Sequence, residues 1–167
     1  GGGGRRRVLV LDGDPGAWVP EGFEIIAQRA GGLGDRLAGA FADAGAPALL
    51  VGMDTPQLTP ELLEEGLSAL DEGAAGAVVG DAEDGGYWAI GLRAADARVF
   101  AGVPMSSDTT GAAQRARLAE LGLAVADLPP LLDVDTIEDA RAVAAVAPGT
   151  RFAAELAEVE AMLGTPA

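Results

Sequence analysis

The chain has 167 residues, of which 49% are apolar, and 26 acidic side chains against 11 basic ones give it a net charge of −15; that composition fits one globular domain burying about 70% of its unfolded surface. Cysteine, histidine and lysine are absent, which excludes disulfides, thiol and imidazole catalysis, zinc held by nitrogen or sulfur, a Schiff base and the lysine of a Walker loop. The acidity opposes a nucleic-acid partner, and no apolar run reaches the ~20 residues of a membrane span, so carboxylate, hydroxyl, amide and guanidinium chemistry remains.

Residues 1–7, "GGGGRRR", read as a disordered or artificially added lead, and residues 8–167 as the single domain. The start lacks the long apolar segment of a secretory signal, so a cytoplasmic location is expected. "RRVLVLD" (6–12) predicts a strand stopped by "GDPG", and "FEIIAQ" (23–28) a second strand ended by Gly31 and Gly32. In "LGDRLAGAFADAG", Leu33, Leu37, Ala40, Phe41 and Ala44 fall on one helical face, and Gly45 with Pro47 ends the helix.

"PALLVGMD" (47–54) reads as a buried strand. The helix that follows has Thr59 as N-cap, Pro60 in the first helical position and Glu61 where the helix dipole favours an anion. "AGAVVG" (75–80) and "YWAIGL" (87–92) predict strands, residues 109–121 a helix, "LAVADL" (123–128) a strand, and "TIEDARAVAAVA" and "RFAAELAEVEAML" two closing helices. Strands alternating with helices predict an α/β fold of three layers with a mostly parallel sheet covered on both faces. Ligands then bind beyond the carboxyl ends of the strands.

Several carboxylates compete for chemistry. Asp12 and Asp14 form a D-x-D after a strand, the opening of haloacid-dehalogenase-type phosphatases, although Gly16 stands where such enzymes have Thr or Val, and a Gly/Pro/Asp turn accounts for the stretch. Asp54 either bonds its own backbone in an Asx-turn or holds a metal. Asp135 either caps the helix starting at Thr136, with Glu138 reaching back, or is a ligand. In "GDAEDGGYWAIG", Gly85 and Gly86 invite close backbone approach, or mark a bulge or hairpin. Tyr87 and Trp88 point to opposite faces, so one at most faces a ligand.

Taken in order, "QRAGGLGDRLAGAF", "VGMDTPQLTPELL", "VVGDAEDGGYWAIGL", "VPMSSDTTG" and "LLDVDTIEDA" resemble the bacterial glycosyltransferase-A-like family also described as radical-SAM/selenodomain-associated transferases, within the nucleotide-diphospho-sugar transferase superfamily. The resemblance covers nearly all of residues 8–142. It implies a glycosyltransferase-A fold lacking its first strand, and a metal-dependent glycosyl or nucleotidyl transferase acting on a nucleotide or nucleotide sugar and a further acceptor. Asp54 and Asp135 would be the catalytic pair, holding Mg²⁺ or Mn²⁺ on the donor phosphates.

By the same resemblance, Gln28, Gly32, Gly34 and Arg36 would meet the nucleotide, and Asp84, Gly86, Tyr87 and Asp108 the sugar or acceptor. Arg36 also reads as a solvated helix charge. The family opens with a strand and an "APVPGRVKTRL"-like loop that grips the phosphates, and no stretch of these residues matches it. That departure keeps a non-catalytic nucleotide- or partner-binding module as the alternative, with a haloacid-dehalogenase-like phosphatase behind it. An uncovered sheet edge is compatible with an oligomer.

Overall fold

The computed structural model describes residues 5–164. The strands are β1 (Val8–Leu11), β2 (Glu24–Ala27), β3 (Ala48–Val51), β4 (Ala77–Ala82), β5 (Tyr87–Leu92) and β6 (Val125–Leu131). The helices are α1 (Leu33–Ala44), α2 (Pro60–Asp71), α3 (Thr110–Glu120), α4 (Ile137–Val146) and α5 (Arg151–Gly164), and Ala97–Val99 adds a 3-10 turn. The strand and helix positions follow the apolar periodicity of the sequence, apart from the ends.

β1 and β2 pair in parallel as a sheet of their own, and the other strands form a four-stranded sheet in the order β3-β5-β4-β6. β5 runs antiparallel to both β3 and β4, whereas β6 runs parallel to β4. Three of the four strands therefore point one way, and the reversed β5 makes the pairing mixed where a mostly parallel sheet is expected. The reversal follows from the short connection between β4 and β5, which can only turn the chain back.

Two apolar layers sandwich this sheet. On one face Phe41 of α1, Val99 and Phe100 of the 3-10 segment and Leu118 of α3 pack on Ala77, Val79, Ile90 and Leu92. On the other, Leu70 of α2 packs on Val78, Trp88, Ala89 and Leu128. Adjacent residues Trp88 and Ala89 share a face because β5 is bulged: Gly80 pairs with Ala89 and Asp81 with Tyr87, which leaves Trp88 as the extra residue. Its indole Nε1 donates to the Pro129 carbonyl at 3.0 Å, and a Cβ at Gly80 would come within 2.4 Å of the ring, so only glycine fits opposite it.

β6 runs further than its apolar pattern indicates, through Pro129 and Pro130, because it is an edge strand whose outer side needs no amide donors. Of the expected lead, residues 1–4 lie outside the described residues. Arg5 is ion-paired with Glu64 and Asp71, and Arg6 with Glu24, so the described part of the lead is tied to α2 and β2. Among the described residues no helix is long and apolar enough to cross a membrane.

Candidate active site

Because β3, β4 and β6 run in one direction, the loops at their carboxyl ends leave from one edge of the sheet, where open α/β sheets bind ligands. Asp54 follows β3, Asp84 follows β4, and Asp133 and Asp135 follow β6. The β3 and β6 loops meet directly: the Val134 amide donates to the Asp54 carbonyl at 2.9 Å. Asp84, Asp133 and Asp135 each bring a carboxylate oxygen within 4.8 Å of the other two.

Local structure explains how each carboxylate is presented. Asp84 Oδ1 accepts from the Gly86 amide at 2.7 Å, closing the tight turn between β4 and β5. The cap of α4 lies one residue later than Asp135: Thr136 Oγ1 accepts from the Asp139 amide at 3.2 Å, and Asp139 Oδ2 accepts from the Thr136 amide at 2.8 Å. Asp139, not Glu138, completes the capping box. Asp135 is thereby released from capping and stands exposed at the site.

Asp133 is half-buried. Burial, followed by the neighbouring charges of Asp84, Asp135 and Asp54, pushes its carboxyl above the usual range. Crowded carboxylates raise one another in this way when no cation separates them. A divalent ion with oxygen ligands at about 2.0–2.1 Å holds neighbouring ligand atoms about 3 Å apart and opposite ones about 4 Å, separations that lie inside the 4.8 Å spanned by the group.

The expected pair, Asp54 with Asp135, is thus only half reproduced as a compact group. Asp54 sends its main-chain carbonyl to the β6 loop, and its Oδ1 turns back over Gly52, where a Cβ would lie 2.8 Å from it. Its carboxylate is outside the group of three, though near enough to act on Asp133. Its side chain makes no Asx-turn hydrogen bond among the described residues. Asp133 is not among the residues expected at the site; the signal for it in the sequence is the alternation in "DVD", since positions two apart just after a strand tend to share a side.

The residues expected at the nucleotide form a local knot at the start of α1. Arg36 donates from Nε to the Gly31 carbonyl at 3.0 Å and from Nη1 to Gln28 Oε1 at 3.2 Å, so it is held across the loop and is not a free helix charge. The Gly32 amide donates to Asp35 Oδ2 at 3.1 Å, and Gly34 lies against the Phe100 carbonyl and Met105.

On the expected sugar side, Gly86 and Asp108 line one hollow of 260 Å³ with Gly85 and Arg115. The close approach that the glycines permit is made by the protein's own backbone. Gly85 has φ +92°, a Cβ there would lie 2.1 Å from the Asp108 carbonyl oxygen, and the Gly111 amide donates to the Gly85 carbonyl at 2.8 Å. Tyr87 packs with the α1–α3 layer, and its hydroxyl reaches Gln114 Oε1 at 3.4 Å; burial pushes its pKa up to about 12. Trp88 is thus the buried core member of the pair, and Tyr87 is half-buried against that layer. Asp12 and Asp14 are exposed beyond β1, with Gly13 at φ +107° between them, as a turn requires.

Residues 4–107, more than half of the chain, match the family described as "Uncharacterized protein conserved in bacteria (DUF2064)". The chain belongs to this family. No curated protein matches it. The fold of this DUF2064 member matches the crystal structure of a "putative nucleotide-diphospho-sugar transferase" from Desulfovibrio desulfuricans G20 with a TM-score of 0.79 and 27% identity, over 92% of this chain and 73% of that one. The DUF2064 chain thus has the nucleotide-diphospho-sugar transferase fold, and its carboxylate group occupies the edge at which such α/β sheets bind ligands.

Proposed function

We propose that residues 8–167 form one metal-dependent transferase domain that takes a nucleotide or nucleotide sugar as donor. The observation that carries this reading is the convergence of Asp84, Asp133 and Asp135 from the carboxyl ends of β4 and β6, on a fold matched to a nucleotide-diphospho-sugar transferase. These three would hold Mg²⁺ or Mn²⁺, with Asp54 adding to the field and pinning the two loops together. When bound, the ion neutralises charge that builds on the donor diphosphate as its bond to the transferred group breaks.

The chain's own part is positioning. Gln28, Gly32, Gly34 and Arg36 would line the base and ribose, and Gly86 and Asp108 the transferred group, so that an acceptor oxygen or nitrogen bonds to the transferred carbon or phosphorus in line with the departing diphosphate oxygen. The carboxylate group by itself repels a free diphosphate, so donor binding should depend on the divalent ion.

A thermal-shift panel of nucleotides with and without Mg²⁺ tests the reading. The transferase predicts stabilisation by at least one nucleoside diphosphate or triphosphate only when Mg²⁺ is present. No shift with any nucleotide would leave a partner-binding module.

A further inference from the structure

A second cleft, of 340 Å³, opens beside the carboxylates between the end of β6 and α4. Its walls are continuous with the segments that carry the site. Leu132 precedes Asp133, Glu83 precedes Asp84, and Gln57, three residues after Asp54, donates from Nε2 to the Leu132 carbonyl at 2.5 Å. Adjacent Cα atoms are about 3.8 Å apart, so the cleft and the carboxylate group are built on the same loops.

The lining states what kind of molecule fits. Leu131 at the end of β6 and Leu132 just after it face Ala142, Val143 and Val146 from α4, and Val146 is 77% exposed, an apolar surface uncovered among the described residues. Glu83 contributes the one charged side chain of the lining, and Asp84 and Asp133 lie next to it in the chain. Such a wall attracts a hydrogen-bond donor and repels an anion.

We propose that this cleft seats the acceptor, and that the acceptor is an alcohol or amine with an apolar body; the assignment rests on the transferase reading. The donor head lies toward Glu83 and the carboxylate group, the body along α4. A polyhydroxylated sugar gains little against Leu131, Val143 and Val146, which offer its hydroxyls no hydrogen bond of their own and reward apolar contact instead.

The test is an amide-resolved NMR titration of the full chain with phenylpropanol, phenylpropylamine, phenylpropanoate and glucose, followed by Mg²⁺ with the nucleotide that stabilises the protein. Phenylpropanol and phenylpropylamine should move the amides of Leu132, Ala142 and Val143, while phenylpropanoate and glucose leave them in place. Val146→Glu, at an exposed position, should weaken phenylpropanol roughly tenfold by setting a charge against its apolar body, and Ala142→Trp should block it by filling the cleft. Response to glucose in preference to phenylpropanol, responding amides elsewhere, or unchanged affinity in Val146→Glu and Ala142→Trp would overturn the acceptor assignment while a nucleotide response left the transferase reading standing. A cleft that fills in a protein without any Mg²⁺–nucleotide response would instead remove the transferase reading, and the acceptor assignment with it.

Discussion

At the scale of single residues, Asp133 decides most. Its carboxyl is raised by burial and by Asp84, Asp135 and Asp54, so the folded chain binds this proton more tightly than the unfolded chain does. The stability it contributes is fully present below the unfolded carboxylate value of 3.8 and is lost as pH rises through the higher folded value. Asp133→Asn should therefore raise the melting temperature of the metal-free protein relative to wild type increasingly as pH climbs through that window, and should lose the stabilisation by Mg²⁺; melting curves in EDTA and in Mg²⁺ read both effects. Gly85 is the other sensitive position. Gly85→Ala would place a Cβ against the Asp108 carbonyl at a positive φ, and strain of that kind costs on the order of 1–3 kcal/mol, visible as a lower denaturant midpoint. Neither consequence was legible in the sequence: "DGG" announces a turn, but not that the start of α3 fills it.

At the scale of elements, the local rules read well where the signal is local. Thr59 caps α2 through the Leu62 amide at 3.3 Å, as its place before Pro60 indicates, and Thr59→Ala should cost about 1 kcal/mol in equilibrium unfolding. The cap of α4 lies one residue beyond the expected position because "DTIED" offers two acidic partners at neighbouring spacings, and only the geometry selects Thr136 with Asp139. Thr136→Ala should cost a similar ~1 kcal/mol and also weaken Mg²⁺ binding, since this cap orients the backbone that carries Asp135. β5 shows the limit of periodicity. Its residues were identifiable, yet its reversed direction and the bulge that turns Trp88 and Ala89 to one face are set by pairing with β3 and β4, which no window of sequence contains.

At the scale of the whole molecule, the fold class and the edge where the loops gather were legible because strand–helix alternation fixes both, while the membership of the carboxylate group was not, because Asp84 and Asp133 come from strands far apart in sequence. The net charge of −15 opposes direct binding of an anion, so the proposed transferase would need a cation to recruit its donor. In that reading Asp84, Asp133 and Asp135 form the cation's seat. Calorimetric titration of Mg²⁺ and nucleotide into wild type, Asp135→Asn and Asp54→Asn decides this: a cation seat there gives Mg²⁺-dependent binding in wild type, its loss in Asp135→Asn and a partial loss in Asp54→Asn, whose carboxylate stands outside the group. Full binding in Asp135→Asn, or binding that ignores Mg²⁺, would contradict it.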